Sequence, residues 1–371
     1  MTDYIRFHQK VAFVKPIDGD ILNRYDGKEK NGELTVCFFV KAEPGKTVLV
    51  NGNRAEYSNG FYQVMLPIRE GENTFRAECE GESDTITVKR IEKTAGKYRL
   101  SSDDNIIFLS ELNRGKDIFR SIFEHPYLAV YKKAHDLYGT KVHLNLFGSM
   151  SAHPSFSEPR ENFDLSMMTD RFRNEWEANS DWLKLNFHSE RYKPDYPYLH
   201  SGYEELHTDC ERVMREICRF AGEGSLSRET TIHWGAATEE GVRALRDLGI
   251  RVLAGYLKIE GQNTIVSYHY PKPLVVHLEG RDFWYDERLD LYIAKIDSVL
   301  NMHSLKDVEE MLELLCTDRC RSGFLELMIH EEYFYRDYKA YLPDFEDRVL
   351  TACRIAFEKG YEPAFLEEAL L

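Results

Sequence analysis

Apolar and polar residues alternate in short runs through residues 1–95, and Gly, Asn, Asp or Pro separates the runs. VAFVKP leads into a DGD turn and LTVCFFVKA into EPGK. TVLVNG and FYQVMLPI follow, then REGEN, and TFRAECEGESDTITVKRI closes the region. Strand-like runs recurring every 8–12 residues or so between such turns predict an antiparallel sandwich. The rhythm changes around KTAGKYR. Beyond it, PYLAVYKKAHDLYG, YEELHTDCERVMREICRFAG, ATEEGVRALRDLG and FEDRVLTACRIAFEKG carry helical spacing, whereas TKVHLNLFG, TTIHWG, IRVLAGY and FLELMIHEEYF read as strands. Strand–helix alternation predicts a parallel sheet, either a barrel or a doubly wound fold. The expected division is therefore 1–95, all β, and 96–371, α/β. In folds of the second kind, chemistry collects at the C-terminal ends of the strands.

That rule selects candidates. Asp103 and Asp104 follow YRLSS, His188 follows WLKLNF, His233 sits in TTIHWG, and His330, Glu331 and Glu332 follow FLELMI. Adjacent carboxylates repel, so a buried pair calls for a cation, although Asp103-Asp104 also suits a helix start, where Asp is a good N-cap. Imidazole and carboxylate recurring at one rim match the ligands of a divalent transition metal such as zinc.

Composition narrows the partners. The 371 residues are 43% hydrophobic and 13% aromatic, enough for two cores, which excludes a disordered scaffold. A formal charge of −15 argues against nucleic acid or an anionic membrane as partner. No apolar run nears the roughly 18 residues of a membrane span, and MTDYIRFHQKVAF lacks the basic start and apolar segment of a secretory signal. The seven cysteines are odd in number and mostly in apolar surroundings; they read as buried free thiols, with Cys316 and Cys320 on one helix face. A cytoplasmic location is expected. The oligomeric state is not legible.

Two stretches resemble known families. KTVLVNGNRAEYSNGFYQVMLPIREGENTFRAE resembles the bacterial immunoglobulin-like modules attached to carbohydrate-active enzymes, in its NG turn, Gly-aromatic strand and L..G.N pattern. The region from about residue 97 to the end resembles the polysaccharide deacetylase (NodB-homology) family, a distorted β/α barrel. S-S-D-D-N stands where that family has S/T-F-D-D-G, YGTKVHLNLFG where it has G-x-K-A-T-F-F, and LELMIH where it has an apolar strand ending in L-H. TIHWGAATEEGVRALRDLGIRVLAGY keeps the Gly, helix and strand that follow R-P-P-Y-G but replaces the Arg-Pro-Pro, and KGYEPAFLEE resembles the family's closing kGYxfvtl.

The resemblance implies metal-dependent hydrolysis of the N-acetyl group of an amino sugar or oligosaccharide. Asp104 would be a metal ligand, Asp103 the base and His330 the general acid. The family spaces its two ligand histidines H-x-x-x-H; His188 fills the first place and Tyr192 stands in the second. The substitute ligand is among His233, His200, His207 and Glu332, with His233 preferred because it ends a strand. The Arg that would orient Asp103 has no clear equivalent. Trp234, Glu332 and Tyr333 are expected to contact the carbohydrate, with Tyr196, Tyr198, Phe334 and Tyr335 as further stacking candidates. Two alternatives stand beside this reading: a non-catalytic glycan-binding protein on a degenerate barrel, favoured by Tyr192, and a divergent carbohydrate hydrolase.

Overall fold

The computed structural model describes residues 4–30, 33–151, 155–158 and 160–371. Residues 12–90 form two five-stranded sheets around a common apolar core. Glu33–Lys41 is the clearest case of the period-two pattern: Leu34, Val36, Phe38 and Val40 turn inward, and the intervening residues stay partly open. It pairs antiparallel with Ala12–Lys15 and Phe61–Ile68. Opposite lies the hairpin of Gly71–Cys79 and Glu82–Arg90. Its two-residue turn, Glu80-Gly81, has φ of 50° and 85°, the left-handed conformation that matches strand twist and favours Gly. One pairing departs from the antiparallel expectation, since Ile21–Leu22 runs parallel to Lys89–Arg90. TVLVNG contributes only Leu49–Val50.

This part is docked on the rest through a polar seam. Asp20 is fully buried between the His277 ring, 2.8 Å away, and the Arg281 guanidinium, which also pairs with Asp26. Trp284 Nε1 donates to the Asp18 carbonyl at 2.7 Å.

From Lys97 onward the strands are mostly parallel. Lys97–Asn105 lies between Val142–Met150 and Phe324–His330, and Leu183–Arg191 extends the sheet on one side, Ser298–Val299 on the other. Glu229–Thr230, Val252–Gly255 and Leu291–Lys295 form a second parallel run, edged by the antiparallel Phe283–Asp286. Among the described residues the ladder between the two runs narrows to a single bridge, Leu185 to Leu226. The expected barrel is thus two hydrogen-bonded sheets rather than one continuous ladder.

Helices cover these sheets. In Tyr203–Ala221, Leu206, Cys210, Val213, Ile217 and Phe220 recur at three- and four-residue steps and are all buried. Ile107–Arg114 starts without a side chain of its own to cap it. Glu331 does the capping from another strand's end, accepting from the N–H groups of Ile106 (2.6 Å), Ile107 (2.9 Å) and Phe108 (2.6 Å), and from the Tyr335 hydroxyl (3.0 Å). Glu331→Ala leaves those donors buried and unpaired, and is expected to cost about 3 kcal/mol or more in urea unfolding; a loss below ~1 kcal/mol would show that water replaces the carboxylate.

Three local expectations need correction. TTIHWG pairs only over Glu229–Thr230; the chain then turns through His233–Gly235, with Trp234 at φ 63° and Gly235 at φ 49°, so His233 lies on a turn rather than at a strand end. FLELMIHEEYF is a strand only to His330, and a turn follows because Glu331 is drawn to the helix start. The helix before Cys316 ends at Leu315, placing Cys320 in an exposed turn; all seven cysteines are free thiols, of which Cys79, Cys210, Cys316 and Cys353 are buried.

Candidate metal centre

Asp104 ends the Lys97–Asn105 strand. Pairing with Val142–Met150 slips between Ser102 and Asn105, and Asp104 itself takes a left-handed φ of 61°. Asn105 fixes this bend: its Nδ2 donates to the carbonyls of Ser102 (2.6 Å) and Asn145 (3.1 Å), and its Oδ1 accepts from the Tyr127 hydroxyl (2.7 Å). A non-glycine residue held left-handed costs on the order of 1 kcal/mol and persists only where surroundings impose it.

The bend points the Asp104 carboxylate at two imidazoles. His188 Nε2 lies 3.0 Å and His233 Nδ1 3.1 Å from Asp104 Oδ1, and the two nitrogens are 3.2 Å apart. All three side chains are buried. The far nitrogens settle the tautomers. His188 Nδ1 faces the Thr231 carbonyl and His233 Nε2 the Tyr192 carbonyl, at 2.5 and 3.2 Å. A carbonyl only accepts, so those nitrogens carry the protons, and the inward nitrogens of neutral rings present lone pairs. Two lone pairs and a carboxylate oxygen at mutual distances of 3.0–3.2 Å repel one another unless a cation sits among them. Ligands of a tetrahedral zinc ion, at 2.0–2.1 Å, stand about 3.3 Å apart. The donor set and its spacing therefore fit a small divalent ion, with main-chain carbonyls orienting both rings from behind.

The point favours positive charge. Burial alone would raise the Asp104 pKa, but charge on His233, when that ring is protonated in place of holding an ion, and contact with both rings hold it well below the ordinary carboxylate range. Burial works against a charged His188, while Asp103 and then Asp104 push its pKa up. Glu332 lies against Asp104 with Oε2 buried and unpartnered; burial, then the Asp104 charge, raises its pKa well above that of an ordinary glutamate.

The structure gathers Asp104, His188 and His233, and places the other candidates around or away from them. Tyr192 gives the cluster its carbonyl, and its ring packs beside that of His233 with centroids 5.7 Å apart. Asp103 is buried, and its Oδ1 accepts from Asn145 Nδ2 at 2.6 Å, an orienting contact made by an amide where the sequence offers no arginine. His330 pairs in register with Asp103 but lies outside the cluster, its Nδ1 on Asn301 Oδ1 at 2.9 Å. His200 is exposed and His207 stacks on Tyr203, so neither joins. Trp234 and Tyr196 form an exposed pair, their rings tilted by 30° with centroids 4.6 Å apart. Tyr333 packs between Tyr338 and His330. Tyr198 and Tyr335 are buried, their hydroxyls spent on Asp209 and Glu331, so they are not rim stackers.

Sequence reasoning missed Asn145. It links Asp103 to the other sheet, accepting on Oδ1 from Thr230 Oγ1 (2.9 Å) and the Thr231 N–H (3.3 Å). The available signal was a lone amide inside the apolar run VHLNLF. Asn145→Leu is expected to weaken zinc binding by about 10–100-fold, as loss of an orienting group does, because Thr231 also carries the carbonyl behind His188; calorimetric titration with zinc reads it.

No protein-family model and no curated protein matches this chain. Solved structures match weakly. A CE4 family pseudoenzyme from Bacillus anthracis is 9% identical over 76% of this chain and 67% of its own, with a TM-score of 0.33. A putative polysaccharide deacetylase from Mycobacterium smegmatis is 8% identical over 74% of this chain and 90% of its own, TM-score 0.36. An FMN-binding beta-glucuronidase from Facaelibacterium prausnitzii L2-6 is 11% identical over 86% of this chain and 55% of its own, TM-score 0.27. Likeness at this level carries no argument about the function of this chain, which rests on the site itself. Among the described residues, no helix is long and apolar enough to cross a membrane.

Proposed function

We propose that this protein is a metal-dependent hydrolase acting on the N-acyl group, acetyl in the first instance, of an amino sugar or oligosaccharide. The carrying observation is the convergence of Asp104 Oδ1, His188 Nε2 and His233 Nδ1 on one point, each held there by a buried second partner or a fixed bend. Asp104, His188 and His233 would hold a divalent ion, with zinc the best fit to this donor set, and the chemistry supplied there would be polarisation of an amide carbonyl and a water of lowered pKa.

The remaining roles fall to groups around that point. Asp103, anchored by Asn145, takes the proton from the attacking water. His330 keeps Nδ1–H on Asn301 Oδ1, which leaves a lone pair on Nε2 to take up a proton and deliver it to the leaving amine. The exposed Trp234–Tyr196 pair beside His233 offers an aromatic surface for a sugar face. His233 supplies the nitrogen that Tyr192 does not, which favours the hydrolase over a glycan-binding protein that has lost its metal.

The test separates the roles. Metal analysis of purified protein is expected to show about one equivalent of zinc or a similar ion. Asp103→Asn should keep that ion while hydrolysis of N-acetylglucosamine oligomers falls by about a hundredfold or more. Unchanged hydrolysis removes Asp103 as base, and a metal-free wild type that still binds glycans sinks the hydrolase.

A further inference from the structure

A cavity of about 220 Å³ opens at the seam between the two parts, and none of its described lining residues belongs to the metal centre. Its backbone is fixed from both sides. The Trp284 indole N–H donates to the Asp18 carbonyl at 2.7 Å, the Tyr285 N–H to the Gly19 carbonyl at 2.8 Å, and the Gly19 N–H to the Thr87 carbonyl at 2.8 Å. A side chain at Gly19 would strike the Tyr285 carbonyl and the Trp284 ring. The shape is therefore set before any ligand arrives, which lowers the cost of binding. Tyr4, Trp284 and Tyr285 give the cavity aromatic surface, and Lys89, Glu72 and Glu287 give it charge. Among the described residues none of these three forms an ion pair; the Lys89 ammonium stands 3.3 Å from the Tyr285 ring centroid instead. Burial lowers the Lys89 pKa against the pull of Glu72, Asp290 and Glu287.

An anion entering here would meet Glu72 and Glu287, and a simple cation would meet Lys89. A neutral ring bearing hydroxyls avoids both conflicts. Its hydroxyls donate to the carboxylates and accept from the ammonium, while its C–H face lies against the aromatic rings. A cavity of about 150 Å³ holds a benzene, so this one takes about nine non-hydrogen atoms, the ring of a hexose with roughly half its substituents. We propose that the seam cavity is a second, non-catalytic saccharide site that holds one neutral hexose unit. Glu72 and Lys89 reach it from the β-rich part and Trp284, Tyr285 and Glu287 from the α/β part, so both parts are needed to build it. The proposal goes beyond the hydrolase reading and does not depend on it.

The chain has four tryptophans, and one of them, Trp284, places its indole N–H in this cavity's wall. The experiment follows the indole N–H signals of isotope-labelled full-length protein by NMR, assigned by single Trp→Phe replacements, as cellotriose is added. Cellotriose carries no N-acyl group. The Trp284 signal is expected to shift saturably with a midpoint on the order of 1 mM, as suits one small polar unit, while the buried Trp176 and Trp182 signals stay in place. Lys89→Ala should weaken that midpoint about tenfold or more. Glu72→Ala, at an exposed position that does not endanger folding, should weaken it about threefold, and Trp234→Ala, at the metal rim, should leave it unchanged. A Trp284 signal that does not move by about 50 mM cellotriose overturns the site. So does a midpoint indifferent to both Lys89→Ala and Glu72→Ala, or an equal shift with glycine or sodium acetate, which would make the ligand a charged one. None of these outcomes touches the hydrolase, whose metal and turnover are measured separately.

Discussion

Asp104→Asn protein is expected to lose zinc affinity by a hundredfold to a thousandfold while unfolding at nearly the wild-type temperature. Structural zinc sites are worth roughly 10–16 kcal/mol over four ligands, so one ligand carries about 3 kcal/mol. Asparagine is the informative replacement because it tolerates the left-handed φ of 61° at this position as well as aspartate does, whereas alanine would add strain. The change deletes one charge and keeps the shape. His188→Ala should cause a comparable loss, and His200→Ala none, since His200 is exposed and outside the cluster. Hydrolysis should follow metal content across this series. Zinc bound equally well by Asp104→Asn and wild type would place the ion elsewhere and end the assignment.

The second large effect lies far from the rim. Arg99 is completely buried, forked onto both oxygens of Glu326 and paired with Glu229, and Ser101 adds a hydroxyl to Glu326. One cation thus serves two buried carboxylates. Burial pushes the Glu229 pKa up to about 7 against the pull of Arg99, and burial also raises that of Glu326. A carboxylic acid whose pKa is raised by folding stabilises fully below its unfolded value, near 4.5, and loses that contribution as pH climbs through about 7. The loss amounts to roughly 3 kcal/mol. Glu229→Gln should therefore flatten the fall in stability between pH 4.5 and 7. Arg99→Met strands both carboxylates and is expected to cost about 3–5 kcal/mol at pH 8, with a visibly smaller cost at pH 5, where Glu229 holds its proton. Urea unfolding at the two pH values measures both. A cost for Arg99→Met that does not change with pH would mean that Glu229 stays ionised throughout.

The contrast between Asp103-Asp104 and Glu331-Glu332 shows what was readable in the chain and what was not. Each pair of acids follows an apolar run, and the period-two and three-four patterns located both runs correctly. The first pair splits into one residue hydrogen-bonded to Asn145 and one facing the histidines. The second splits into a helix cap, Glu331, and a group against Asp104, Glu332. Neither split is visible locally, because each depends on a backbone turn and on donors distant in sequence. TTIHWG departs from its strand pattern for the same reason. Threonine and isoleucine favour a strand, but pairing stops at Thr230, and left-handed Trp234 and Gly235 swing His233 into the cluster. Tyr192 reads as a lost ligand when only side chains are considered, yet its carbonyl is what orients the replacement.

The seam between residues 12–90 and the remainder bears on how the protein can be inherited. Asp20, His277, Arg281, Asp26 and the Trp284–Asp18 bond join the two parts with buried charge on both sides. A chain cut at residue 96 would leave Arg281 without either aspartate and Trp284 without its acceptor. The β-rich part is accordingly no removable accessory. Changes on one side of the seam must be matched on the other, and the two parts are constrained to evolve as a single piece.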